Sequence, residues 1–335
     1  MTLTRRKFML TAGATAAAAA LATLPSLGQQ SSRPTVVAAR SFLDALEPDQ
    51  ASRATFAFGD ATWRGWNYFG SGGLIKPGLR LEEMTEPQQE AAWTLLGTVL
   101  SPSGLAKARR VMSLQDVLTE SGSPDRSSQR FSIALFGAPA DAGTFGFRFE
   151  GHHISHSWTI RDGVVVSVTP ASFSANPNFV TQGSRAGLVA LPDEEELARR
   201  LMNALSPARA AQARVSDRAL SNILSLPSQE MSHLELAGLP MAEMGPGETD
   251  LLWALIDTYA VDHLAPHIAA RQMARIRSGD QAAVHFAWTG GNERGTAFGY
   301  RILGPTFVIE LGSVDAAALH LHTIYHDRET FLGNA

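Results

Sequence analysis

The sequence predicts an α+β fold: two tandem-duplicated halves, each a pair of helices followed by an antiparallel sheet, related by a pseudo-twofold axis. Three observations carry that expectation. First, "GLRLEEMTEPQQEAAWTLL" from Gly78 returns as "GLPMAEMGPGETDLLWALI" from Gly238. Gly78/Gly238, Leu79/Leu239, Glu83/Glu243, Met84/Met244 and Trp93/Trp253 match at one offset of 160. Second, "GTFGFRFEG" from Gly143 meets "GTAFGYRILG" from Gly295, with Phe145/Phe298, Gly146/Gly299, Arg148/Arg301 and Gly151/Gly304 matched at 153. Two blocks in the same order at nearly the same spacing are the mark of an internal repeat. Third, each copy runs from helical periodicity into short β-branched and aromatic runs bounded by glycine, helices first and strands after.

Residues 1–29 read as an address, not as part of the fold. Arg5-Arg6-Lys7 precede a short alanine- and leucine-rich run, the layout of a cleavable secretory signal. The paired arginines followed by Lys7, Phe8 and Met9 resemble a twin-arginine signal. The twin-arginine export machinery is then one partner, and the destination is periplasmic or secreted. Residues 30–335 read as a single domain made of two repeats joined by a helical segment.

"VVAARSFLDAL" predicts the opening helix. In the first copy, about residues 78–170, "PQQEAAWTLLGTVL" and "SPSGLAKARRVMSLQDVL" carry apolar residues at helical spacing and open with proline or serine, both favoured at a helix start. "RFSIALFG", "TFGFRFEG", "HISHSWTI" and "VVVSVTP" predict strands, with "RDG" a tight turn between the last two. "PDEEELARRLMNAL" and "SPARAAQARVSDRALSNIL" predict two connecting helices. In the second copy, about residues 238–327, "ETDLLWALIDTYAVDHL" and "PHIAARQMARIRSG" predict helices. "AAVHFAWTG", "GTAFGYRI", "PTFVIEL" and "ALHLHTIYHD" predict strands. No segment beyond the leader is long and apolar enough to span a bilayer, so no permanent membrane span is expected.

Composition narrows the chemistry. The formal net charge of −4 argues against a nucleic-acid partner. With no cysteine in 335 residues, disulfides, thiolate catalysis and cysteine-held metals are excluded. A metal must rest on His, carboxylate, Met or backbone oxygen. GxSxG, HExxH, GxGxxG and EF-hand patterns are all missing, so no nucleotide cofactor is expected. "GSGG" at 70–73 reads as a plain loop.

Histidine carries the remaining signal. Three of the ten histidines fall in "GHHISH": His152, His153 and His156. His320 and His322 are two apart on a predicted strand, so both face one way and can chelate one ion. Adjacent His152 and His153 can share a ligand only if Gly151 places them in a turn or bulge. His156 would lie on the face of His152 in a regular strand. At offset 153, His320 and His322 fall opposite Ser167 and Thr169, and His152 and His153 opposite Pro305 and Thr306. The histidines were added differently to each half, which a shared site explains and core filling does not. A metal-free polar pocket built from the same residues is the competing reading. Glu150 and Glu310 are the nearest carboxylates. Glu310 stands alone in an apolar strand and needs a partner, such as Arg301, a histidine or a metal. Either glutamate could act as general base. Arg148 and Arg301 recur in both copies and read as structural. His263 and His267 have helical ligand spacing, but Pro266 interrupts it. His233 and His285 read as structural.

The segments "GLRLEEMTEPQQ", "FGFRFEGHHISHSWTI", "TPASFSANPNFV", "YRILGPTFVIEL" and "LHLHTIYHD" resemble the bacterial and fungal family catalogued as domain of unknown function 3500. The resemblance runs from about Gly78 to Asp327. It implies that His152, His153, His320 and His322 are family positions. Leu319 stands where the family has Asn, His326-Asp327 where it has Arg-Asp, and Leu311-Gly312 where it has Tyr-Asp.

The expected function is a metal-dependent enzyme, hydrolase or oxidoreductase, acting on an unknown small-molecule substrate. His152, His153, His320 and His322 would hold a single divalent transition metal, zinc, copper or iron, between the halves, with Glu310 or Glu150 assisting. The alternative is a non-catalytic periplasmic metal- or ligand-binding protein.

Overall fold

The structure is a computed structural model that describes residues 33–70, 76–123, 126–225, 234 and 236–333. The expected signal, His233 and most of the "GSGG" loop lie outside the described residues. Residues Ser31–Ala335 form one compact unit. No described helix is long and apolar enough to cross a membrane.

The described part opens with α1 (Arg33–Asp44), α2 (Pro48–Ala54), β1 (Thr55–Phe56) and the short α3 (Ala61–Arg64). Then come β2 (Leu79–Arg80), α4 (Glu86–Gly97), α5 (Pro102–Glu120), β3 (Ser132–Phe136), β4 (Thr144–Gly151), β5 (Ile154–Arg161), β6 (Val164–Ser167) and β7 (Ala171–Phe173). α6 (Pro192–Ala204), α7 (Pro207–Ala213) and β8 (Arg214–Ser216) follow. β9 (Leu239–Pro240), α8 (Pro246–Ala260), α9 (Pro266–Ser278), β10 (His285–Gly290), β11 (Phe298–Leu303), β12 (Phe307–Ser313) and β13 (Leu321–Asp327) complete the described part.

The expected helices start where their caps allow. Pro102 opens α5 behind Ser101, whose hydroxyl accepts the Gly104 N–H. In "RDG", Asp162 and Gly163 both take left-handed φ, +50° and +68°, the pattern of a two-residue hairpin turn. One expected helix is corrected. "SPARAAQARVSDRALSNIL" is helical only to Ala213; Arg214–Ser216 form β8, parallel to β10. The Ser-Asp-Arg that follows holds turn-forming side chains, with Ser216 accepting the Arg218 N–H.

The sheets are not separate. Among the described residues, thirteen strands join in one mixed sheet, ordered β1-β3-β4-β5-β7-β13-β12-β11-β10-β8, with β2 on β3, β6 on β5 and β9 on β10. All pairings are antiparallel except β1–β3 and β8–β10. The expectation of two antiparallel sheets is thus corrected to a single sheet closed through β7 and β13, where Tyr325 pairs with Ala171.

The two faces differ. One carries the helices over the main apolar core, which includes Phe147, Trp158, Tyr300 and Tyr325. The other is crossed by the strap 56–69 and by Ile223 and Leu332, packed with Phe136 and Ile324. Strand alternation sorts side chains between the faces.

Two glycines fix how β2 and β9 meet the sheet. Gly78 has φ +93° and Gly238 φ +92°. A Cβ at Gly78 would lie 2.2 Å from the Ile133 carbonyl oxygen, and one at Gly238 2.2 Å from that of Phe286. Gly78→Ala is expected to cost about 2–4 kcal/mol, through a left-handed backbone and a clash the sheet cannot yield to. Urea unfolding of Gly78→Ala and Gly238→Ala checks this, with an exposed alanine substitution as control.

Candidate metal centre

β4 and β5 pair up to Gly151↔Ile154, which leaves His152 and His153 as a two-residue turn. The turn resolves the adjacency problem, since neither residue need follow strand alternation. His153 has φ +71°, an uncommon state for a non-glycine residue. Tertiary bonds hold it there: its N–H donates to the Tyr68 carbonyl at 2.9 Å, and its own carbonyl accepts from Ser174 N–H at 2.8 Å. Gly151 is required at the turn's base, because a Cβ there would lie 2.2 Å from the Phe131 ring.

His320 and His322 approach from β13. His320 sits just before the strand, and its carbonyl accepts the Val314 N–H at 2.7 Å. Three ring nitrogens converge. His153 Nε2 lies 3.1 Å from His320 Nε2, and His320 Nε2 lies 3.0 Å from His322 Nε2. The ligand atoms of all three residues lie within 4.8 Å of one another. Imidazoles on one tetrahedral metal, at about 2.0–2.1 Å each, stand roughly 3.3 Å apart. His153 and His322 are buried, while His320 keeps partial exposure and marks the open side.

Asn222 decides the His322 tautomer. Its Oδ1 lies 2.8 Å from His322 Nδ1 and also receives the Ile223 N–H at 2.9 Å and the Tyr68 hydroxyl at 3.4 Å. An oxygen taking those donors accepts from His322 as well, so Nδ1 carries the hydrogen and the Nε2 lone pair faces the cluster. The three nitrogens then pose a problem for protons alone. If His320 Nε2 is bare, it meets the His322 lone pair head on. If it is protonated, one proton must serve two lone pairs. A cation accepts all three lone pairs at once, so the donor set fits a metal.

Burial pushes all four rings toward the neutral form. Burial, then the Arg126 charge and the other rings, pushes His152 down to about 3. Burial, then His320, does the same to His322, to about 3. His153, fully enclosed, is held well below the usual range by burial first and His152 next. His320 is lowered by burial, with Asp315 opposing. Neutral rings keep lone pairs free for a metal.

The other expected site residues are placed differently. His152 stacks on His153, ring centres 3.7 Å apart, but its Nδ1 turns to Gln115 Oε1 at 2.8 Å and Arg126 at 3.2 Å. It stands beside the three converging nitrogens. His156, expected on the face of His152, projects instead into the helix layer against Phe173 and His263. The reason is the turn: His152 has left the strand, so alternation begins again at Ile154.

Among the described residues, no carboxylate belongs to the converging group. Glu150 is buried beside Arg148 at 3.4 Å and Lys76 at 3.5 Å, and accepts from Asn67 N–H and the Ser155 hydroxyl. Arg148 donates to the Thr62 and Trp63 carbonyls and to Ser157. This network pins the strap that carries Tyr68 over the His153 turn. Burial lowers the Lys76 ammonium to about 8, with Glu150 opposing. Glu310 Oε2 accepts from the N–H groups of Leu224 and Ser225 and from the Ser225 hydroxyl. It thereby anchors the segment whose Asn222 orients His322. Glu150→Ala is expected to cost about 3–5 kcal/mol, because Arg148 and Lys76 would lose their buried counter-charge. Urea unfolding measures it, and Glu150→Gln should recover part of the loss.

Asn222, Tyr68 and Gln115 were not expected from the sequence. The aromatic density of "RGWNYFG" was the one available signal for the strap. Asn222 had none, since its segment read as helix.

Fold and site together define an α+β protein with a candidate histidine metal centre at the middle of one continuous sheet. The chain belongs to the family described as Protein of unknown function (DUF3500), which matches residues 28–331. No curated protein and no solved structure matches it.

Proposed function

We propose that this protein is a metal-dependent enzyme, a hydrolase or an oxidoreductase, with His153, His320 and His322 holding one divalent transition metal. One observation carries the reading: three neutral imidazole nitrogens converge in a geometry that protons satisfy poorly and a metal satisfies well. Such an ion, when bound, supplies Lewis-acid or redox chemistry. His152 stands beside the ligands as a polar wall. Glu310 and Glu150 assist by position, one holding the Asn222 segment and the other the Tyr68 strap. An unknown small-molecule substrate would approach past His320, the least buried of the three.

A second reading rests on a specific observation. Each glutamate is held through its Oε2 in a buried network away from the converging nitrogens, so among the described residues no carboxylate base lies among the ligands. A non-catalytic metal- or ligand-binding protein has the same appearance. The N-terminal leader supports export by the twin-arginine machinery and a periplasmic or secreted location for either reading.

The same reading includes a duplication about a pseudo-twofold axis. The mirrored strand order, the paired glycines Gly78 and Gly238, and the stacking of Arg109 on Trp93 and Arg277 on Trp253 support it.

Elemental analysis of untagged protein tests the metal. About one equivalent of zinc, copper or iron is the expected result. Cobalt(II) substitution then separates the readings: an absorption spectrum that shifts with azide marks an open position suited to catalysis. An unresponsive spectrum favours the binding protein, and failure to bind any of these metals overturns the metal centre and leaves only a metal-free ligand-binding pocket.

A further inference from the structure

We propose that the side chains of Lys76 and Asn67 join in an intramolecular isopeptide bond, with the Glu150 carboxylate carrying the proton. The bond would tie the strap at 56–69 to the chain entering β2. The inference does not depend on a metal at the histidine centre.

The nucleophile is an uncommon residue in this chain. Only three of its 28 basic residues are lysine: Lys7, Lys76 and Lys107. Arginine is the default cation here, and arginine keeps its proton; lysine can lose one and attack a carbonyl. The Lys76 side chain is 10% exposed. Its Nζ contacts Asn67 Oδ1 and lies 2.6 Å from the Asn67 main-chain oxygen. A nitrogen in contact with Oδ1 stands one bond away from Cγ, the atom it must attack. Asn67 is held in place in turn. Trp66 and Tyr68 on either side are buried, the Asn67 N–H donates to Glu150 Oε2 at 3.3 Å, and Nδ2 donates to the Gly65 carbonyl at 3.5 Å.

Glu150 divides the labour between its two oxygens. Oε2 takes Arg148, the Ser155 hydroxyl and the Asn67 N–H. Oε1 is buried, makes no hydrogen bond of normal geometry, and stands 3.5 Å from Lys76 Nζ. A buried carboxylate oxygen held opposite an ammonium is placed to take its proton. Burial favours that transfer, since it lowers the Lys76 ammonium to about 8, with Glu150 opposing.

The step balances without a further reagent. Glu150 accepts one proton from the Lys76 ammonium, and the freed lone pair forms the Nζ–Cγ bond. Glu150 passes that proton to Nδ2, and the Cγ–Nδ2 bond breaks. A second Nζ proton leaves with the ammonia, as ammonium. Nothing is oxidised or reduced, and the chain loses one ammonia. The new amide N–H faces Glu150 Oε1, which gains the partner it lacks. A chain without cysteine cannot staple itself with a disulfide, and this bond gives the same constraint at any redox potential. It would fix the strap whose Tyr68 carbonyl accepts the His153 N–H.

Mass spectrometry of the purified protein tests this. Lys76 precedes Pro77, so trypsin leaves Asn67 and Lys76 together in the peptide Gly65–Arg80. That peptide is expected to weigh about 17 Da less than its sequence, one ammonia, and to give no backbone fragments between Asn67 and Lys76. Reductive methylation of the unfolded chain should label Lys107 and leave Lys76 untouched, which separates the bond from a succinimide of the same mass. Lys76→Arg and Asn67→Ala should each show the full mass of their own sequence. Glu150→Gln, which keeps both reacting groups, should do so too. A wild-type peptide of full mass with Lys76 methylated overturns the proposal even if every variant fails to fold. A bond formed at wild-type yield in Glu150→Gln overturns the role of Glu150.

Discussion

His320→Ala/His322→Ala is expected to reduce bound metal from about one equivalent to a trace, measured by elemental analysis after dialysis against a weak chelator. The double variant leaves His153 alone, and a single imidazole does not hold a divalent ion against chelation. Asn222→Ala tests the same centre at one remove. Loss of a group that orients a ligand typically costs about 10–100-fold in metal affinity, so this variant should bind metal weakly without losing its ligands. Chelation should lower the melting temperature of the wild type, since a metal bound only to the native state stabilises it. It should leave the double variant unmoved. A further consequence follows from the crowding of nitrogens 3.0 and 3.1 Å apart. Without metal these contacts compete for protons, so metal-free His320→Ala should be no less stable than the metal-free wild type. Full metal content in the double variant would remove the centre, and the enzymatic reading with it.

These residues also mark how far the sequence could be read. His320 and His322 were legible because strand alternation puts i and i+2 on one face, and no tertiary context was needed. His153 was legible as a type and not as a geometry. Its left-handed backbone depends on bonds to Tyr68 and Ser174, which are distant in the chain. Asn222 was illegible because its role comes from Glu310 gripping Leu224 and Ser225 across 86 and 85 residues. Most helices and strands were readable from caps, glycines and periodicity. The sheet's continuity was not. Joining through β7 and β13 rests on a short pairing between Tyr325 and Ala171, with no local signature. His156 was assigned to the wrong layer because the turn at 152–153 resets the alternation on which that assignment relied.

Acid is expected to destabilise the protein from about pH 6 downward, before most of its carboxylates titrate. His156, His263 and His326 are buried, and none is among the three converging ligands. Burial is the first cause in each case: it holds His156 at about 3, His326 at about 4, and His263 well below the usual 6.5. The sign follows from linkage. Above about pH 6.5 the rings are neutral in both folded and unfolded chains, and their contribution is constant. Below it the unfolded chain takes up protons that the folded chain refuses until about pH 3–4. Stability therefore falls as pH falls, by roughly 1.4 kcal/mol per pH unit for each ring. Three rings together remove about 4 kcal/mol per unit, against a typical total of about 5–15 kcal/mol. The urea midpoint should hold steady from pH 8 to 7, drop steeply below 6, and reach zero near pH 4–5. His326→Leu keeps the ring's volume roughly filled beside Trp66 and Phe331 and should flatten the slope by about a third. Metal-free protein should fall faster, because His152, His153 and His322 are shifted in the same direction. A midpoint unchanged down to pH 4.5 would mean that the buried rings accept protons in the native state, and that the interior around them is far wetter than its packing implies.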